Sequence, residues 1–206
     1  MQLPPSYAEL VCTSNFSFLT GASHPQELVA RAAELGYDAI AITDECSLAG
    51  VVRALEEAQR CAERGQAIQL IPGSSFRLEN GSRLVLLPED HAGYTEICSL
   101  VTRGRRQAPK GEYALPDRSF EHGLDHCLAL WLPATTDGKE KSDLLTAHWL
   151  AAYFPGRCWL AASLDLGPAD AQRLQRLESA AQAAGLPLTA CGDVQMHVRA
   201  RRMLHD

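Results

Sequence analysis

Three short stretches place polar side chains directly after apolar runs, where reactive groups tend to be presented. They are Val11-Cys12-Thr13-Ser14-Asn15-Phe16-Ser17, Ile42-Thr43-Asp44-Glu45-Cys46-Ser47 and Cys191-Gly192-Asp193-Val194-Gln195-Met196-His197. Carboxylates at such positions can ligate a hard cation or serve in acid–base chemistry. Asp44 and Glu45 could equally cap the helix expected to begin near Ser47, whose first amides need acceptors, or structure the loop before it. Cys12 could be a ligand or a reactive thiol, but a cysteine inside an apolar strand is read as a buried one. His122 and His126 have helical i, i+4 spacing, yet Gly123 between them and the loop-like surroundings argue against a metal pair. His197 is read as a surface or packing side chain.

Two basic sets stand apart from these stretches: Arg103, Arg105 and Arg106 with Lys110 nearby, and Arg199, Arg201 and Arg202. Either could meet phosphates or an acidic surface, or lie on a solvated face. With a formal net charge of −6 and a pI near 5.6, the chain as a whole repels a phosphate backbone except where its cations cluster.

The elements that must position these groups are legible as alternating apolar runs and helical stripes. Strand-like runs occur at Tyr7–Cys12, Ala39–Thr43, Ile68–Ile71, Arg83–Leu87, Cys127–Leu132, Cys158–Ala162 and Leu186–Cys191. Several are nearly continuous in Val, Ile, Leu and Ala, as in strands covered on both faces. A helix is expected from Ser23 or His24, with Pro25 in its first turn, Leu28, Ala32 and Leu35 on one stripe, and a stop at Gly36. Others are expected from Ser47 to Gly65 and over Ala92–Arg105, Ser142–Tyr153 and Pro168–Ala184. Arg106–Leu124 and Thr135–Lys141 read as loops.

Strand–helix alternation predicts an α/β fold with parallel strands, arranged as a closed or nearly closed barrel or as an open three-layer sheet. In either case function collects at the carboxyl ends of the strands. The 206 residues can bury one large core, with 46% hydrophobic and 21% charged residues, and are read as a single domain, 1–206. The seven cysteines are odd in number, widely spaced and without a CxxC pair, a pattern of buried thiols in a reducing compartment. No secretory leader pattern and no run of about 18 apolar residues is found, so a cytoplasmic location is expected.

A more specific expectation comes from resemblance. Tyr7-Ala8-Glu9-Leu10, Ser14-Asn15-Phe16-Ser17-Phe18-Leu19, Gly21-Ala22-Ser23-His24-Pro25, Gly36-Tyr37 and Ala41-Ile42-Thr43-Asp44 carry it. So do Leu48-Ala49-Gly50-Val51-Val52-Arg53, Ala108-Pro109-Lys110-Gly111-Glu112-Tyr113 and Gly192-Asp193-Val194-Gln195-Met196-His197-Val198-Arg199. Together they resemble the PHP (polymerase and histidinol phosphatase) domain of the error-prone relatives of the bacterial replicative polymerase α subunit. The resemblance implies a distorted seven-stranded (βα) barrel whose active members hold about three metal ions and hydrolyse phosphoesters. It implies an amino-terminal piece of a much longer, DNA-damage-induced translesion polymerase, with the polymerase's own carboxylates and Mg²⁺ beyond Asp206. The abrupt end at Met203-Leu204-His205-Asp206 fits such a truncation. Partners implied in the same way are the remaining polymerase chain, against which Arg199, Arg201 and Arg202 would dock, DNA, a sliding clamp and an inactive Y-family polymerase homologue of a mutagenesis complex.

Against the family's metal motifs, this sequence departs at most positions. Val11 and Thr13 stand where the first motif has His-x-His, Glu45 replaces the histidine after Asp44, and Ser75 replaces a glutamate. Gln195 replaces the histidine two after Asp193, and Arg83 stands near a further histidine position. Asp44 and Asp193 survive. The strand-end cleft of Val11, Thr13, Asp44, Glu45, Ser75, Asp193 and Gln195 is therefore expected to be vestigial, with no catalytic residue and no cofactor. Asp44, Glu45 and Asp193 are its weak metal candidates, because valine offers no lone pair and the imidazoles are missing. The expected function is a structural or interaction module, and the rival is a residual metal-dependent phosphoesterase or 3′→5′ exonuclease.

Overall fold

A computed structural model describes residues 6–134, 140–164 and 166–205. It is a mixed α/β fold with two sheets, in two compact units: Met1–Ser74 together with Gly192–Asp206, and Ser75–Cys191.

The first unit opens with strand β1 (Ala8–Glu9), helix α1 (Pro25–Glu34), β2 (Ala39–Ile42), α2 (Val51–Glu63) and β3 (Gln69–Pro72). β1, β2 and β3 pair in that order and in parallel, with Ala8 opposite Ala39 and Ile40 opposite Leu70. Parallel pairing follows from the helical crossovers, which return the chain to the same edge. Every residue of β2 is buried, which accounts for its uninterrupted Ala-Ile-Ala-Ile sequence. α1 starts at Pro25, whose missing N–H costs nothing in the first turn, and Glu27 reaches back to accept the His24 N–H at 2.8 Å. It buries Leu28, Val29, Ala32 and Ala33 against Ile40, Ile42, Ala54 and Cys61, while Leu35 falls outside the stripe and is half exposed. Each fully buried aliphatic side chain here contributes about 2 kcal/mol.

The last segment completes this unit. Cys12 and Val194 form a parallel bridge, with Val194 N–H donating to Val11 O and Thr13 N–H donating to Val194 O at 2.9 and 2.8 Å. Farther along, His197 Nδ1 meets Ser23 Oγ at 2.8 Å and Arg201 donates to Glu27, which fastens the segment to the start of α1. A short turn of helix, α6 (Arg202–His205), follows.

The second unit holds β4 (Ser74–Arg77), β5 (Arg83–Pro88), α3 (His91–Arg106), β6 (Cys127–Leu132), α4 (Glu140–Tyr153), β7 (Cys158–Ala162), α5 (Asp170–Ala184) and β8 (Leu188–Ala190). Its sheet runs β4-β5-β6-β7-β8. β6, β7 and β8 are parallel, but β5 and β6 are antiparallel, with Val85 opposite Leu130. A tight turn at Asn80-Gly81 joins β4 to β5; Gly81 supplies the positive φ of 85°, and Leu78 N–H donates to Ser82 O at 2.9 Å. The buried Trp131 indole donates to Ser82 Oγ at 3.0 Å, and Ser82 in turn donates to Asn80 Oδ1 at 2.6 Å. Phe76 and Phe120 meet edge to face at 5.6 Å inside this core.

Several expectations are corrected. The described residues form eight strands in two sheets, and no closed seven-stranded barrel is found among them. Parallel alternation breaks at β5, which arrives by a turn rather than a helical crossover, so nothing forces it parallel to its neighbour. α2 begins at Val51 rather than Ser47, because Leu48-Ala49-Gly50 makes a preceding turn with Val51 N–H donating to Leu48 O at 3.2 Å. The loop expected over Arg106–Leu124 carries a 3₁₀ turn at Asp117–Phe120 that buries Phe120. Of the polar loop expected at Thr135–Lys141, residues 135–139 lie outside the described residues, and Glu140 already belongs to α4.

Candidate functional site: a carboxylate-clamped loop

In the first unit, Val11 and Thr13 extend the line of β1 and are buried at 0% and 3% exposure. Asp44 follows β2 and is buried at 1% exposure, with Glu45 half-buried beside it; Asp193 and Gln195 lie on the last segment, half-buried. The backbone pairing of residues 11–13 with 194 and of Thr43 N–H with Cys12 O (2.8 Å) brings these positions to one end of the sheet. Ser75 and Arg83 belong to β4 and β5 of the second unit, Ser75 buried and Arg83 half-buried.

Asp44 does not cap α2, whose N-cap is Gly50 with no side-chain acceptor. Instead its Oδ1 accepts Ser14 N–H and Ser17 Oγ–H at 2.8 Å each, and its Oδ2 accepts Ser14 Oγ–H at 2.7 Å. Ser17 Oγ accepts Glu45 N–H at 2.8 Å, and Ser14 Oγ accepts Phe16 N–H at 3.2 Å. The loop after β1 is thereby fixed to the loop after β2. Gly50 leaves the necessary room, since a Cβ there would stand 2.9 Å from Asp44 Oδ2 and 3.3 Å from Ser14 Oγ.

A second buried carboxylate ties the last segment. Glu9 Oε1 accepts Val11 N–H at 3.0 Å, Glu9 Oε2 accepts Gly192 N–H at 2.9 Å, and Tyr7 Oη donates to Oε2 at 3.0 Å. Asp193 then takes up the left-handed conformation, φ 48°, uncommon for a residue with a Cβ. Cys12 lies between these acids; burial first, then the charges of Glu9, Asp44 and Asp193, push its thiol well above the ordinary range. A thiol held protonated is neither nucleophile nor ligand, so Cys12 is a core residue.

Burial also lifts the carboxyls of Glu9 and Asp44 above their ordinary values, opposed in Glu9 by Val11, Tyr7 and Gly192 and in Asp44 by Ser14 and Ser17. Because the folded values exceed the unfolded ones, the linked stability is fully present below the unfolded carboxyl range and is lost as pH rises through the folded values. Side-chain carboxyl ¹³C titration is therefore expected to give Glu9 and Asp44 midpoints above those of the urea-unfolded chain. Midpoints at or below the unfolded ones would contradict this.

The remaining sequence candidates separate cleanly. His126 pairs with Asp90 at 2.9 Å and His122 stacks edge-on against Tyr153 at 6.0 Å, so the two are not a metal pair. Arg105 and Arg201 are engaged internally, whereas Arg103, Arg106, Arg199 and Arg202 are exposed. Among the described residues, no group of three or more His, Cys, Asp and Glu is placed to hold a metal ion, and no helix is long and apolar enough to cross a membrane. The sequence reading missed Ser14, Ser17 and Glu9. Their partners Asp44 and Gly192 lie 27 to 183 residues away, beyond any local spacing rule.

Comparison with known proteins agrees with this fold. A solved amidohydrolase from Chromobacterium violaceum superposes with a TM-score of 0.67 at 16% identity, covering 92% of this chain and 87% of its own. A candidate metal-dependent phosphoesterase from Bifidobacterium adolescentis superposes with a TM-score of 0.65 at 16% identity, covering 96% and 90%. The error-prone DNA polymerase of Methylococcus capsulatus is 52% identical over 201 residues, which is 97% of this chain but 18% of that protein. The chain thus spans about a fifth of the length of the curated relatives it matches. The PHP domain model matches residues 9–185, running through both compact units. With that match over most of its length, the chain belongs to the PHP domain family.

Proposed function

We propose that this is a catalytically degenerate PHP domain that serves as a structural and interaction module of an error-prone, translesion DNA polymerase. The observation that carries the reading is the clamp on Asp44: the surviving family carboxylate accepts three hydrogen bonds from Ser14 and Ser17. The residues present do not fit the family's metal cluster. Val11 brings no donor atom, Glu9 accepts from backbone amides, and the oxygens of Asp44 are turned to a serine loop. Without a bound cation no water is acidified, so the hydrolytic route loses its nucleophile. Synthesis of DNA, its Mg²⁺ and contacts with a clamp or other mutagenesis proteins belong, on this reading, to the remainder of a polymerase chain of the relatives' length.

The second reading is a residual phosphoesterase: the backbone pairing of residues 11–13 with Val194 and of Thr43 with Cys12 leaves Asp44 and Asp193 at the same end of one sheet. Metal analysis of purified protein together with hydrolysis of bis(p-nitrophenyl) phosphate separates the two. Substoichiometric metal and no chelator-sensitive turnover are expected. Stoichiometric zinc or manganese with turnover abolished by chelator would establish the phosphoesterase instead.

A further inference from the structure

The C-terminal turn of α3 and the loop after it form a concentrated positive surface on a chain that is otherwise acidic. From Ile97 to Gly111 the sequence contains Arg103, Arg105, Arg106 and Lys110 and no acidic residue. Arg105 is committed internally. Its guanidinium donates to Gly111 O and Glu112 O at 3.3 Å each and lies over the Tyr113 ring at 5.6 Å. Tyr113 Oη in turn accepts Arg77 N–H at 2.8 Å, so the loop is also tied to β4.

Arg103, Arg106 and Lys110 are exposed, and among the described residues none is ion-paired or hydrogen-bonded through its side chain. Other arginines behave differently: Arg31 pairs with Glu34, Arg60 and Arg64 with Glu57, and Arg201 with Glu27. A helix macrodipole amounts to only about half a charge at each end, so the dipole of α3 does not call for three arginines. The exposed residues interleaved here, Thr102, Gln107 and Pro109, include none of the large aromatic or aliphatic anchors on which protein interfaces depend. Arg103 and Arg106 stand i, i+3, on one face of the helix. Guanidinium forks match phosphate oxygens, and repeated unpaired cations match a polyanion better than a single ligand.

We infer that Arg103, Arg106 and Lys110 form a sequence-independent contact for DNA backbone phosphates, with Arg105 and Tyr113 as its internal support. The inference rests on the polymerase context proposed above, which supplies the DNA. The test is fluorescence anisotropy of a labelled primer–template duplex with the 206-residue chain, between about 20 and 200 mM salt, against the variant R103A/R106A/K110A. Each phosphate contact contributes a slope of about −0.9 in log K against log salt, so the wild-type slope is expected near −2 to −3. The variant should bind at least about tenfold more weakly at low salt with a slope near zero. All three side chains are exposed, and an unchanged circular dichroism spectrum and urea midpoint confirm an intact fold. No wild-type binding at the lowest salt, or equal affinity and slope in the variant, would overturn the inference. So would binding of poly-glutamate in preference to DNA through the same three residues, which would make the surface one for an acidic protein. Metal content and turnover do not enter this titration, so its failure is distinguishable from failure of the degenerate-domain reading.

Discussion

Asp44→Ala is expected to destabilise the folded chain by about 3 kcal/mol, because it strands buried donors whose desolvation has no other compensation. Ser14 N–H, Ser14 Oγ–H and Ser17 Oγ–H all end on this carboxylate, and Ser14 and Ser17 are themselves buried at 0% and 4% exposure. Urea unfolding reads the loss as a lower midpoint with an unchanged m-value. On the degenerate-domain reading the effect should be the same with and without a chelator. Asp44→Asn retains one acceptor oxygen and should lose less. A double-mutant cycle with Ser17→Ala should show strong coupling, because the second substitution removes a partner already orphaned by the first. An Asp44→Ala variant as stable as the wild type in chelator would mean that the loop is held by something else.

The second large effect is steric. A Cβ built on Gly21 would lie 2.0 Å from Ser14 O and 2.2 Å from Ser14 C. Both are backbone atoms in the clamped loop, so no rotamer change relieves the overlap. Gly21→Ala should therefore cost about 3 kcal/mol or more through forced backbone displacement. Gly36→Ala is the natural control: φ is +76° there, and nothing lies within 4 Å of the built Cβ. Its cost is left-handed strain alone, about 1–2 kcal/mol. Urea midpoints of the two variants should differ accordingly, and equal midpoints would show that the Ser14 loop yields.

The sequence was readable wherever one segment determined its own state. β2 and β6 are apolar runs long enough to identify, and α1 carries its start in His24-Pro25 and its end in Gly36. β4 was missed because Ser74-Ser75-Phe76-Arg77 is short and half polar, and it becomes a strand only by joining a sheet whose other members lie elsewhere in the chain. The antiparallel pairing of β5 with β6 has no local signature either, since the two are joined through α3, a helical connection that by itself points to parallel neighbours. At the site, the placement of Val11, Thr13, Asp44, Glu45, Asp193 and Gln195 after apolar runs could be read directly. A loop-structuring role for Asp44 could be offered as well, but not its partners, because Ser14 and Ser17 meet it only after α1 has returned the chain to β2.

The carboxylate of Glu9 holds the amide of Gly192, 183 residues farther along the chain. At about 5–20 residues per second, a nascent polypeptide would wait roughly ten to forty seconds between the emergence of one and of the other. During that interval the amides and carbonyls of Val11 and Thr13 have no Val194 to meet, while Ser75–Cys191, an uninterrupted stretch, can acquire its own packing. Pairing of the β1–β2–β3 sheet with this segment therefore waits until Gly192 and Val194 have been made, and until then its open edge is exposed to chaperones and to proteases.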